Sequence, residues 1–525
     1  ISELGLIGRG EDAEITTYLE KAMTSELQGN VIDLCPVGAL TSKPYAFQAR
    51  PWELTKTESI DVMDAVGSAI RVDTRGREVM RIMPRVNEEV NEEWISDKTR
   101  FVWDGLRTQR LDRPFVRGSD GKLKAASWTD AFAAVKAALD GKSGDQIAAV
   151  AGDLSGVEEM FAMQQLLGSL GSSSMDCRQD GSALDPKLGR ASYLFNPTIE
   201  GIEEADAILI IGANPRFEAS VLNARIRKAF RASGVTIGVI GDMGDLRYDY
   251  QALGSGPDTL AELASGKNKF AGVLKRAKKP MIIVGQGALA RGDGAAVLAN
   301  AAKIADAAGA VKGDWNGFAV LHTAAGRVGG LDLGFVPGEN GMNATKAVKE
   351  ADVLFLLGAD ELDMRTRKPG AATIYIGTHG DVGAHHADII LPASTYTEKS
   401  ATYVNTEGRV QMTNRAGFAP GEAKEDWAIL RALSDVIGHK LPFDSLAQLR
   451  GALYEAHPHF AAIDAIEAGD GAAIASLAKK GGRLGKSAFA SAVKDFYLTN
   501  PIARASAVMA ECSGLAAKGY AQAAE

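Results

Sequence analysis

Short runs of consecutive apolar residues alternate with helix-length stretches from Trp128 to Pro392, and this alternation restricts that part of the chain to parallel α/β architecture. Residues 147–152, 206–212, 235–240, 280–285, 352–358, 373–377 and 388–392 read as strands. Most are apolar at every position, as strands must be when helices cover both faces of their sheet. Helices are predicted over 131–139, 157–168, 219–233 and 295–308. The expected fold class is α/β with doubly wound sheets. Two of the strands echo each other. Residues 206–214 and 352–360 each run acid, apolar strand, Gly-Ala, then Asn or Asp, which fits two related nucleotide-binding-like subdomains.

The texture differs outside this region. The first fifty-odd residues are loop-rich around Cys35-Pro36-Val37-Gly38-Ala39-Leu40. Residues 70–73 and 79–83 alternate apolar with polar side chains and are joined through Thr74-Arg75-Gly76-Arg77, which predicts a β-hairpin. A boundary falls near Arg110-Leu111-Asp112-Arg113-Pro114. After Trp427 the chain is Ala-rich with scattered charges and reads as mostly helical.

A chain of 525 residues can bury several cores without disulfides, and its three cysteines have no scaffold-like spacing, which argues against an oxidised secreted protein. The net charge of −8 and 6% aromatic content give no basis for nucleic-acid binding. No apolar run is long enough to cross a bilayer; the closest, 285–311, is interrupted by Arg291, Asp293, Lys303 and Asp306.

Cys35 is the leading ligand candidate. A Cys-Pro step ends the last ligand of ferredoxin-type iron–sulfur motifs, the thiolate binding iron and the proline turning the chain away. A four-iron cluster takes about four protein ligands, and Cys177 and Cys512 are distant in sequence. Cys35 is therefore either a plain buried cysteine or one ligand of a cluster completed from elsewhere. The opening Ile1, in sequence that reads as mid-domain, favours the second. Gly212-Ala213-Asn214 and Gly358-Ala359-Asp360 sit where α/β sheets bind ligands, although neither G-x-G-x-x-G nor a P-loop is present. His379, His385, His386, His457 and His459 read as polar loop residues, and the acidic run 87–93 as a solvated or docking surface.

Long runs make a family resemblance specific. Gly29-Asn30-Val31-Ile32-Asp33-Leu34 leading into Cys35, then Lys56-Thr57-Glu58-Ser59-Ile60-Asp61-Val62-Met63-Asp64 and Asn91-Glu92-Glu93-Trp94-Ile95-Ser96-Asp97-Lys98, resemble the large iron–sulfur chain of respiratory complex I, the NADH:quinone oxidoreductase. Ala387-Asp388-Ile389-Ile390-Leu391-Pro392-Ala393-Ser394 and Tyr403-Val404-Asn405-Thr406-Glu407-Gly408-Arg409 are similar to the molybdopterin oxidoreductase superfamily. The resemblance implies four parts: 1–54, the end of a ferredoxin-like four-iron domain; 55–111, a small β-domain; 112–426, a molybdopterin-oxidoreductase-like body; and 427–525, a mostly helical tail. It implies electron transfer from NADH and FMN through iron–sulfur clusters toward quinone, with no substrate catalysis on this chain. Cys35 would ligate a [4Fe–4S] cluster with three thiolates upstream of Ile1, where further four-iron and two-iron clusters are expected. Backbone N–H groups of Val37 and Gly38 would donate to its sulfur. Implied partners are the peripheral-arm subunits of complex I, including the NADH- and FMN-binding flavoprotein. The implied location is peripheral, on the cytoplasmic side of a bacterial inner membrane or the matrix side of a mitochondrial one. The alternative is a molybdopterin-dependent enzyme such as a formate dehydrogenase catalytic subunit.

The departures matter as much. Where the superfamily carries four cluster cysteines, this chain has Asp61, Asp64, Ser68 and, nearest the fourth, Ser96. These oxygens are poor ligands for a soft cluster, so the β-domain is expected to lack one. Cys177 lacks the superfamily's catalytic surroundings and is read as structural. The two echo turns are expected to meet at a cleft filled by side chains, without molybdopterin.

Overall fold

The computed structural model describes residues 3–17 and 22–519. Its body contains two parallel sheets. One has five strands, in the order Gln251–Gly254, Thr236–Ile240, Ala207–Ile211, Pro280–Gly285 and Phe318–Leu321. The other has seven. Ile389–Pro392, Ala372–Gly377, Val353–Leu357, Ile147–Ala151 and Met175–Asp176 run parallel, and Phe115–Arg117 and Leu123–Ala125 extend the edge antiparallel. The five-stranded sheet is inserted in the chain between Asp176 and Val353 of the seven-stranded one.

The two echoing strands occupy equivalent places. Ala207–Ile211 lies between Thr236–Ile240 and Pro280–Gly285, and Val353–Leu357 lies between Ala372–Gly377 and Ile147–Ala151. Every residue of both is buried, as central strands under helices must be. Each ends in a left-handed glycine, Gly212 at φ +57° and Gly358 at φ +56°. The Gly212 N–H donates to the Ile240 carbonyl and that of Gly358 to the Ile376 carbonyl. A side chain at either glycine would strain the turn, so the repeated Gly-Ala reflects one backbone solution used twice.

The small domain is the antiparallel sheet Thr55–Ile60, Ala69–Arg75 and Glu78–Pro84, with the predicted hairpin turning at Gly76. Ile60, Val72, Ile82 and Trp103 pack with Tyr396 and Tyr403 of the body and with Phe496, Ile502 and Met509 near the end of the chain. No helix among the described residues is long and apolar enough to cross a membrane.

Two expectations need correction. The acidic run 87–93 is not a free docking face. Val90 and Asn91 are fully buried, Lys228 pairs with Glu92, Arg409 with Glu89, and Arg225 donates to the Glu88 carbonyl. Glu89 and Glu92 find their cations on the body of the same chain, while Glu88, Glu89 and Glu93 stay exposed. His379 is not a loop histidine but a buried clamp, its Nε2 2.8 Å from the Gly105 carbonyl and its Nδ1 2.8 Å from Thr378 Oγ1. Burial, with Arg110 nearby, pushes its pKa down to about 4, so it is neutral. The C-terminal end is helical, as expected, with one irregular segment. Asp426–Val436, Leu446–Ala456, Ala472–Ala478, Pro501–Arg504 and Ala507–Ala517 are helices, but 479–500 has no regular structure.

Candidate cluster-ligand site and the cleft between the sheets

Cys35 caps the C-terminus of the short helix Asn30–Leu34, its N–H donating to the Val31 carbonyl. The chain then turns through Gly38 at φ +68°, leaving Cys35 partly exposed. Backbone N–H groups of Leu40 and Val37 act most strongly, and Ala39 and Gly38 add to them, holding the thiol below its ordinary pKa. A ring of amides favours the thiolate, the form that binds iron.

The helix ending at Cys35 is fastened to the β-domain. The Gly29 N–H donates to Asp97 Oδ1 at 2.7 Å, and Asn30 Nδ2 to the Ile95 carbonyl at 2.8 Å. Arg100, 4% exposed, pairs with Asp33 and donates to Asn30 Oδ1. Sequence reasoning missed Asp97 and Arg100, because they sit in a segment whose chemistry is otherwise lost.

The four positions standing for the superfamily's cysteines do lie in one buried corner, where the Asp61 carboxyl, one Asp64 oxygen and the Ser96 hydroxyl are already hydrogen-bonded. Asp61 accepts from Thr99 Oγ1 at 3.0 Å and from the Met63 N–H; Thr99 Oγ1 is 2.7 Å from Ser96 Oγ; Asp64 accepts from the Val66 N–H; and the Ser68 carbonyl takes the Asp61 N–H. Burial pushes both carboxyls up, while Lys98 opposes this for each. Burial pushes Lys98 down, its Nζ donating to Thr499 Oγ1 at 2.9 Å. This hard-oxygen, hydrogen-bonded set does not fit a sulfide cluster.

Cys177 is 4% exposed, and burial raises its thiol to about 12. Its carbonyl accepts from Arg327 Nε at 3.0 Å, and its side chain fills the space beside Gly330. It is a packing residue. Cys512, on the last helix, is likewise raised, to about 11.

The loops after both echo turns reach one cleft at the carboxyl ends of the two sheets, through Glu218 and Glu361. The cleft is not filled by side chains as expected. A cavity of about 520 Å³ remains, crossed by the irregular stretch 490–500. Apolar walls would close by packing, whereas these walls carry Asp64, Asp153, Asp180, Glu218, Glu361 and Asp495. Only Lys98 and Lys494 balance them in the lining. Charged walls keep their distance and do not collapse as a greasy void would.

Asp360 closes the second echo turn, accepting from Tyr375 Oη and from the Gly383 N–H, both at 2.8 Å. Burial raises its carboxyl from 3.8 to about 7, against the Tyr375 bond. Between those values the native state keeps a proton that the unfolded chain has lost, so its contribution to stability falls as pH rises and is gone above about 7. The full shift corresponds to on the order of 4 kcal/mol. Asp360→Asn should flatten this part of the pH profile and be the more stable form above neutrality in urea unfolding. An unchanged slope would contradict the assignment.

Comparison with known proteins accords with this architecture. The family described as molybdopterin oxidoreductase matches residues 110–436. Residues 54–104 match the NADH-ubiquinone oxidoreductase NDSU1/NuoG-like 4Fe-4S domain, although this stretch contains no cysteine. Residues 1–41 match the ferredoxin-like domain of NADH-quinone oxidoreductase subunit 3, and 462–512 the C-terminal domain of the G-type chain of NADH-ubiquinone oxidoreductase. The mitochondrial NADH dehydrogenase [ubiquinone] iron-sulfur protein 1 of Solanum tuberosum is 47% identical over 99% of this chain and 69% of its own length. The mitochondrial 78 kDa subunit of Neurospora crassa is 48% identical over 97% of this chain and 69% of its own length. The 75 kDa subunit of Reclinomonas americana is 44% identical over 98% of this chain and 76% of its own. Acetylene hydratase from Pelobacter acetylenicus shares the fold, with TM-score 0.55 at 11% identity, over 87% of this chain and 78% of that one. The chain therefore belongs to the molybdopterin oxidoreductase family and, within it, to the 75/78 kDa iron–sulfur subunits of NADH-ubiquinone oxidoreductase.

Proposed function

We propose that this chain is an electron-transfer subunit of a proton-translocating NADH:quinone oxidoreductase and that Cys35 is its ligand to a [4Fe–4S] cluster completed by thiolates from outside the described residues. The observation that carries the reading is Cys35 at the C-cap of the helix Asn30–Leu34, followed by Pro36 and the turn at Gly38, with the backbone amides of residues 37–40 holding its thiol below the ordinary pKa. Such a cluster supplies a one-electron relay. The chain's own part is to hold the thiolate in place. The amides of residues 37–40 favour its charged form, and their hydrogen bonds to sulfur would raise the cluster potential. Arg100 and Asp97 fix the helix that presents it. The β-domain, without cluster ligands of its own, serves as that bracket.

Further four-iron and two-iron clusters, and contact with an NADH- and FMN-binding flavoprotein, belong to the same reading, as does a place on the cytoplasmic or matrix side of the membrane. Val37, 82% exposed, Trp52, 78% exposed, and the fully exposed Phe47 give the Cys35 region an apolar face suited to neighbouring subunits. The body works as a scaffold. Its acidic cleft does not fit molybdopterin, whose phosphates would meet carboxylates there.

Cys35→Ala tests the reading. NADH-to-quinone electron flow should fall to background, whereas NADH oxidation by an artificial acceptor at the flavin should persist, because the break lies downstream. Quinone reduction at the unsubstituted rate would refute the ligand role.

A further inference from the structure

We propose that the cavity between the two sheets binds a small organic cation bearing several N–H groups, an amine or guanidinium compound, held by Glu218, Gln286 and Asp153. All three side chains line the cavity. Glu218 is 1% exposed. Its Oε1 accepts from the Asn214 N–H at 3.0 Å, Ser491 Oγ at 2.9 Å and the Ala492 N–H at 3.2 Å, while its Oε2 has no partner. Gln286 is also 1% exposed. Its Nε2 donates to the Leu321 carbonyl at 2.9 Å, which fixes the amide so that the unpartnered atom is Oε1. Asp153 Oδ1 has no hydrogen bond, Arg327 standing 4.0 Å away. These three oxygens, Glu218 Oε2, Gln286 Oε1 and Asp153 Oδ1, each lack a donor, and leaving buried acceptors unmatched is costly.

Charge points the same way. Asp180 pairs with Arg327 and Glu361 with Arg504, and Asp64 lies beside Lys98. Glu218 has no basic partner among the described residues. Burial raises its carboxyl, as expected for an acid without a counter-charge. A bound cation would supply that charge and the missing donors together. A bare metal ion fits less well, because no three His, Cys, Asp or Glu side chains among the described residues converge on a point. An anion would be repelled. The volume, about 520 Å³, falls in the range of small-molecule sites. The place, outside the carboxyl ends of parallel strands, is where this architecture binds ligands. The lining here selects a cation.

The experiment is equilibrium dialysis of radiolabelled spermidine against the intact complex containing this chain, at low ionic strength, with Mg²⁺ and ADP as competitors. One saturable site per chain is expected beyond linear uptake by lipid. Neither competitor should displace the amine at equal concentration, and Glu218→Gln should weaken binding by at least about tenfold. Should Glu218→Gln fail to assemble, Asp153→Asn serves the same purpose. A map of the unsubstituted complex with spermidine should also show density between Glu218 and Gln286. The proposal is overturned by the absence of a saturable site, by equal affinity in the assembled variants, by displacement with Mg²⁺ or ADP, or by a map with no density there.

Discussion

Replacing Lys399 with Met should destabilise this chain by about 3–5 kcal/mol, the cost typical of stripping one partner from a buried ion cluster. Lys399 Nζ lies 2.6 Å from Glu159 Oε1 and 2.8 Å from Asp426 Oδ2, and all three side chains are less than a tenth exposed. The triad ties the helix Val157–Ser169 to Asp426–Val436 through the loop after Pro392. Methionine fills a similar volume but leaves two carboxyls facing each other without a cation. Burial already raises that of Asp426 with Lys399 present. The urea midpoint should fall sharply, whereas apolar replacement of all three residues together should recover most of the loss. A single-variant loss under about 1 kcal/mol would show that the triad is not a unit.

The strands were readable from the sequence where a continuous apolar run lay between an acid and a glycine. The runs at 206–212 and 352–358 became Ala207–Ile211 and Val353–Leu357, and the echo between them marked two equivalent central strands. Edge strands were not readable. Gln251–Gly254 is largely exposed and gives no apolar run, and Phe318–Leu321 is only four residues long. Nor does local patterning show that one sheet is inserted in the chain of the other, since that depends on pairing across well over a hundred residues. The acidic run 87–93 looked solvated because Arg225, Lys228 and Arg409 are remote in sequence.

The site divides in the same manner. Cys35 stood out through Cys-Pro and its surrounding run. The resemblance pointed to the amides of Val37 and Gly38 as donors to cluster sulfur and was silent on Ala39 and Leu40. Arg100 and Asp97, which seat the helix below Cys35, gave no signal of their own. The lining of the cleft was hidden because Asp153, Glu218 and Gln286 come from the segments after three different strands, each ordinary by itself. The crossing stretch 490–500 was hidden too, because an Ala-rich tail suggests helix and only tertiary contact holds this part extended.

The central claim is that Cys35 ligates a four-iron cluster while the β-domain around Asp61, Asp64, Ser68 and Ser96 holds none. Low-temperature EPR of the NADH-reduced complex tests it most directly, comparing Cys35→Ala and Asp61→Ala/Asp64→Ala with the unsubstituted enzyme. Loss of a metal ligand is costly where the site is built by several thiolates. The account predicts that Cys35→Ala removes one four-iron signal and leaves the others, and that the aspartate variant keeps every signal. An unchanged spectrum for Cys35→Ala, or a cluster signal lost with the aspartates, would contradict it.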